Sequence, residues 1–201
     1  MKLKSRLLAA LFGCCLAGAV FAQAPAPTRV RGTIDAIDTK SITVTTRDGK
    51  KTELAIPPDV GITAIVAAKI TDIKPGSYIG TAAMPESDGT LRALEIQVFP
   101  ESMRGVGEGH RPWDLGPQST MTNGTVGDVV VAQGRKLTLR YKDGEKTVMV
   151  PETAPIITYE PGTQAMLVPG AHVIVTAIEK PDGSLVAQRI GVGKDGLTPP
   201  M

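Results

Sequence analysis

His110, Trp113 and Met121 lie close together in the middle of the chain, with Met103 just upstream. Imidazole and thioether donors suit Cu(I), and an indole face can lie over a cation. These residues are therefore the candidate soft-metal site, with copper as the implied cofactor. A plainer reading of the same stretch makes it an ordered linker. Trp113 then packs across the units on either side, Pro112 and Pro117 stiffen the path, and Arg111 pairs locally with Asp114. On that reading Trp113, Arg111 and Asp114 are interface residues.

Other chemistry finds little support. The glycine-rich run from Gly105 to Pro117 lacks the Lys-Ser/Thr ending of a phosphate loop, and no helical periodicity follows it. Acyl transfer needs a nucleophile, a base and a group that orients the base. The chain has 2 histidines, His110 and His172, in different halves, and no Gly-x-Ser-x-Gly turn. His172 follows Pro169-Gly170 and reads as a surface or edge histidine, while Met149 reads as core filling in an alternating strand. Asp35, Asp38, Asp88 and Glu95 read as solvated charge on turns and strand faces. No catalytic residue is assigned, and the chain is not expected to be an enzyme.

The elements that must hold these residues are set by an internal repeat. Val30 to Ile37 aligns with Thr122 to Val129, placing Gly32 on Gly124; Asp48-Gly49 aligns with Asp143-Gly144. The second copy has a longer first turn through Gln133-Gly134-Arg135. Pro57 falls on Pro151, Pro75-Gly76 on Pro169-Gly170, and Asp88-Gly89 on Asp182-Gly183. Between the turns apolar and polar residues alternate, as in Ile42-Thr43-Val44-Thr45, Leu137-Thr138-Leu139 and Val173-Ile174-Val175-Thr176. Such alternation is the signature of half-buried strands, and Asp-Gly joining two of them signals a hairpin.

The fold class expected is all-β: two tandem small OB-like barrels, with small β-sandwiches as the alternative. The expected boundaries are 28–101 for the first module, 102–118 for the Gly/Pro/Trp linker and 119–195 for the second. The order of Gly-x-Ile/Val, Ile-Thr-Val, Asp-Gly-Lys, Pro-Gly before a strand and a last Asp-Gly-x-Leu-x-Ala-x-x-Ile resembles an uncharacterised family of exported bacterial small-barrel domains. These motifs are turn and core positions, so the resemblance implies a fold and carries no catalytic residue with it.

Residues 1–22 have the tripartite form of a secretory signal: Lys2, Lys4 and Arg6, an apolar run from Leu7 to Phe21, then Ala22. The apolar run is about 15 residues, short of the roughly 20 a spanning helix needs, so cleavage before Gln23 is expected. Both cysteines, Cys14 and Cys15, leave with the signal, and the mature chain has no thiol for a disulfide or a metal. Losing three basic residues takes the 22 Lys plus Arg to 19, set against 20 Asp plus Glu. A near-neutral chain offers no basic face to nucleic acid, and no later apolar run reaches spanning length. The expectation is a periplasmic or secreted, non-enzymatic binding or structural adaptor protein whose partner is an envelope protein or small ligand. The alternative is a copper-binding protein or an accessory to metal transport.

Overall fold

A computed structural model describes residues 27–130 and 135–200. The signal segment 1–22 and the longer first turn of the second half, at 131–134, lie outside the described residues.

The chain is all-β, and its helical segments among the described residues are short 3-10 turns. The first half gives β1 (Thr28–Ile37), β2 (Ser41–Thr46), β3 (Lys51–Ala55), β4 (Gly61–Ala67), β5 (Tyr78–Pro85) and β6 (Leu91–Val98). A short strand, β7 (Gly109–Pro112), lies in the connecting segment. The second half gives β8 (Thr120–Val130), β9 (Lys136–Tyr141), β10 (Gly144–Met149), β11 (Ile156–Pro161), β12 (His172–Glu179) and β13 (Leu185–Gly193).

The alternating residues explain the strands. Ile42 and Val44 in β2, Leu137 and Leu139 in β9, and Val173 and Val175 in β12 are buried, while their neighbours face outward or stay partly exposed. The Asp-Gly turns supply the reversal: Gly89 and Gly183 have φ of 83° and 82°, a left-handed conformation open to glycine at no steric cost. Beside them Asp88 and Asp182 accept hydrogen bonds from the backbone N–H of Thr90 and Ser184, both at 2.9 Å.

The Pro-Gly turns of the two halves have like geometry. In each Pro-Gly turn the glycine has φ near 87°, 86° at Gly76 and 88° at Gly170. Gly170 N–H donates to Ile34 O and Gly76 N–H to Val126 O, both at 2.8 Å. Thr33 stands opposite His172 on β1 and β12, and Thr125 opposite Tyr78 on β8 and β5.

Meanders and hairpins pair within segments 28–101 and 119–195, but the pairings that close them run from one segment to the other. β1, β2 and β3 form a meander whose free edges are taken by the last hairpin of the chain: β12 pairs antiparallel with β1, and β13 parallel with β3 through Leu185 and Leu54. This closes a circuit of five paired strands. Reciprocally, β8, β9 and β10 are completed by the hairpin of the first half, β5 against β8 and β6 parallel to β10 through Leu91 and Val148. Between the circuits β4 runs between β13 and β11, and β11 pairs in turn with β6. Because β4 pairs with β13 and β11, its continuation delivers β5 and β6 to the other half.

Each circuit encloses an apolar cluster drawn from both halves. One joins Val30, Ile34, Ile42 and Leu54 to Val175, Ala187 and Ile190. The other joins Ile79, Leu91 and Ile96 to Val126, Leu137, Leu139 and Val148. Burial of these side chains is the main source of stability, since the described residues include no cysteine.

Candidate functional site

β7 is an edge strand hydrogen-bonded to β8, with His110 opposite Thr122 and Arg111 opposite Met121. Successive side chains of a strand point to opposite faces, so this pairing separates the residues expected to share a metal. His110 Nδ1 lies 2.8 Å from Thr122 Oγ1, and its ring stacks on Tyr141 with centroids 6.4 Å apart. Burial, and then the charge of Lys146, push its pKa below the ordinary histidine value. Arg111 and Met121 face the other way, where they meet Trp113 on the wall of a cavity.

Trp113 is fixed by its backbone, whose N–H donates to Ser119 O at 2.8 Å. The Arg29 guanidinium sits 3.9 Å from the ring centroid and that of Arg111 5.6 Å. The indole Nε1 is buried and has no hydrogen-bond partner. Asp114 accepts two hydrogen bonds from Arg31, at 2.8 and 3.1 Å, and lies 3.5 Å from Arg29. Burial opposes its charge, but the Arg31 hydrogen bonds and the charges of Arg31 and Arg29 hold its pKa below the ordinary value. The local pair of Arg111 with Asp114 is thus replaced. Asp114 lies in the bend that follows β7, from which its carboxylate reaches β1 instead. Arg111 Nη1 donates to Gly107 O at 2.6 Å.

The glycine-rich stretch is tied down at several points. Val106 O accepts from Asn123 Nδ2 at 2.9 Å and from Tyr78 OH at 3.2 Å, and Lys142 N–H donates to Glu108 Oε1 at 3.0 Å.

The cavity has a volume of about 400 Å³ and opens at the seam between the circuits. Trp113, Phe99 and Tyr159 supply aromatic wall, Met103 and Met121 thioethers, and Arg29, Arg111 and Arg189 positive charge. Phe99 stacks on Tyr159 at 5.6 Å with an interplanar angle of 14°. Arg29 shares Asp114, whereas among the described residues Arg111 and Arg189 form no ion pair.

Behind the wall lies a polar chain. Tyr159 OH donates to Gln97 Oε1 at 2.6 Å, and Gln97 Nε2 donates to Glu95 Oε1 at 2.8 Å. Glu95 is 0% exposed and its Oε2 has no hydrogen-bond partner among the described residues. The reading of Glu95 as solvated surface charge is therefore corrected. Register shifts on β6 where Ala83 pairs Ala93 and Ala82 pairs Glu95, and this bulge leaves Glu95, Ile96 and Gln97 all buried in succession. Asp38 and Asp88 do cap turns, and Asp35 pairs with Lys51 on the surface.

A second cavity of about 270 Å³ holds His172, whose Nδ1 is 3.0 Å from Thr33 Oγ1, beside Arg47 and Pro199. Among the described residues no three His, Cys, Asp or Glu side chains group to hold a metal. Of the soft-metal candidates the cavity unites Trp113, Met121 and Met103 and leaves His110 on the opposite face of β7. Sequence reasoning missed Phe99, Tyr159, Arg29, Arg189, Gln97 and the buried state of Glu95. Glu95 and Gln97 flanking Ile96 toward the end of the Leu91–Val98 strand were the one signal that pointed to the last.

No helix among the described residues is long and apolar enough to cross a membrane. No curated protein and no solved structure matches the chain. Residues 147–191, from the end of β10 through β11, β12 and most of β13, match the family described as a domain of unknown function, DUF5666, and this is the family that stretch of the chain is similar to.

Proposed function

We propose that this protein is a non-catalytic binding protein of the cell envelope, exported by residues 1–22, in which two OB-like barrels exchange their last hairpins. The seam between them holds a small anionic ligand with a flat apolar body. Five strands in each circuit is the count of an OB-like barrel, and the matched turns and registers support two copies of one module. The observation that carries the binding reading is the wall of the seam cavity: Arg111 and Arg189 have no carboxylate partner there and stand beside Trp113, Phe99 and Tyr159. Guanidinium groups give charge-assisted hydrogen bonds to an anion, and aromatic faces suit a planar body.

Met103 and Met121 on the same wall are what favours copper as a second reading. Against it, Arg29 already occupies a face of Trp113, and a cation would enter among guanidinium groups of like charge.

Trp113 is the only tryptophan, so its emission reports this cavity alone. Titration with the anionic aromatic probe 8-anilinonaphthalene-1-sulfonate quenches that emission saturably, at one probe per chain. Arg111→Ala and Arg189→Ala each weaken binding roughly tenfold, the loss of one charge-assisted hydrogen bond. Binding indifferent to both substitutions, or quenching by Cu(I) and not by the probe, overturns this reading.

A further inference from the structure

Glu95 stands apart from every other acid among the described residues, because it is enclosed and half satisfied. On β6 it shares a face with Gln97, which lines the seam cavity as does Phe99 just past the strand's end, and two hydrogen bonds connect it to Tyr159 on the same wall. The direction of those bonds fixes the roles of its oxygens. Tyr159 donates to the amide oxygen of Gln97, so the amide N–H₂ is left to donate to Glu95 Oε1. A proton on this carboxyl therefore resides on Oε2, the buried atom without a partner.

The charged and titratable groups that face it come from several elements: Arg31 of β1, Arg47 of the β2–β3 turn and Tyr159 of β11. Around the cavity beyond them stand Arg29, Arg111, Arg189 and, after β7, Asp114. Burial, and next the charge of Glu95, push the Tyr159 phenol well above its ordinary value, so it remains a neutral donor. Burial pushes the Glu95 carboxyl up to about 7, against the pull of the Gln97 hydrogen bond and of Arg31 and Arg47.

We propose that the seam cavity takes up its anionic ligand together with a proton from solvent, held on Oε2 of Glu95, so that occupancy of the cavity and the charge of this carboxyl are coupled. The inference rests on the binding reading above. A carboxylate behind the wall repels an anion in front of it, and the enclosure screens that repulsion weakly. Protonation removes the repulsion; conversely, the bound anion favours the protonated acid. Coupling is reciprocal, so affinity rises as pH falls through the titration of Glu95.

The test uses the whole mature protein and 8-anilinonaphthalene-1-sulfonate, whose sulfonate keeps its charge between pH 5 and 9. Calorimetry at pH 7 in phosphate and in Tris, buffers of different ionisation enthalpy, counts the protons taken up per probe bound. The wild type takes up a fraction of a proton, and its affinity is roughly tenfold weaker at pH 9 than at pH 5, the equivalent of one pKa unit. Glu95→Gln binds with the same affinity at both pH values and takes up no proton. His110 and His172 line other surfaces, so the double variant His110→Asn, His172→Asn keeps the uptake, which holds the assignment to Glu95 even if Glu95→Gln fails to fold. No uptake by the wild type, uptake retained in folded Glu95→Gln, or uptake lost in the histidine variant overturns the proposal while leaving the binding reading standing. Absence of probe binding at every pH overturns both.

Discussion

At pH 8 the Glu95→Gln protein melts at a higher temperature than the wild type, and at pH 5 the difference largely closes. The carboxyl ionises at its ordinary value of 4.5 in the unfolded chain and at about 7 in the fold, because burial disfavours its charge. Below 4.5 both states hold the proton and the native state carries no penalty. As pH rises from there, the unfolded chain ionises first, so stability falls across the window and levels off above 7. The full difference is roughly 3 kcal/mol, or about 6–12 °C in a chain of this size. Glutamine keeps an acceptor for the Gln97 amide and carries no charge at any pH. Differential calorimetry of both proteins at the two pH values checks this. A gap of the same size at pH 5 and pH 8 shows that charge is not what the site resists.

The second large effect is steric. A Cβ at Gly32 would lie 2.1 Å from Thr45 O and one at Gly124 would lie 2.5 Å from Arg140 O, backbone atoms of the adjacent strand that cannot rotate away. The sequence alignment sets Gly32 on Gly124, and each lies where its strand passes closely over a neighbour. Gly32→Ala and Gly124→Ala therefore each cost roughly 3 kcal/mol, the upper end of what overpacking costs. Gly61, at the start of β4, has nothing within 4 Å of its added Cβ and serves as the control. Chemical denaturation should show Gly61→Ala near the wild type, and both repeat-position variants far less stable. A loss at only one of Gly32 and Gly124 contradicts their equivalence.

Local rules made the strands legible. Ile42 with Val44, Leu137 with Leu139, and the Asp-Gly and Pro-Gly turns announced the strands and hairpins, since alternation and turn chemistry act over a few residues. The exchange of hairpins left no such mark. β5–β6 and β12–β13 carry the same turn signals, so local patterning does not say which of them closes against β1–β3. The site was legible only where the chain is locally unusual, at Trp113 and Met121. Phe99, Tyr159, Arg29 and Arg189 are ordinary residues on distant strands, gathered by pairings across the halves. Separation of His110 from Met121 followed from β7 pairing in a definite register, which residue types alone do not set.

The seam and its cavity exist only if β1 closes on β12 of the other half. Protein produced from Gln23 onward has no cysteine, so a pair introduced at positions 33 and 172 is the only thiol pair in it. Thr33 and His172 face each other on adjacent antiparallel strands, where Cα atoms stand about 4.5–5.5 Å apart, within the reach of a disulfide. In a chain whose halves closed on themselves, Thr33 would instead face Tyr78, the counterpart of His172. Mild oxidation and non-reducing electrophoresis should show a rapid intramolecular crosslink in the Thr33→Cys, His172→Cys protein and none in Thr33→Cys, Tyr78→Cys. Crosslinking of the second pair and not the first contradicts the account.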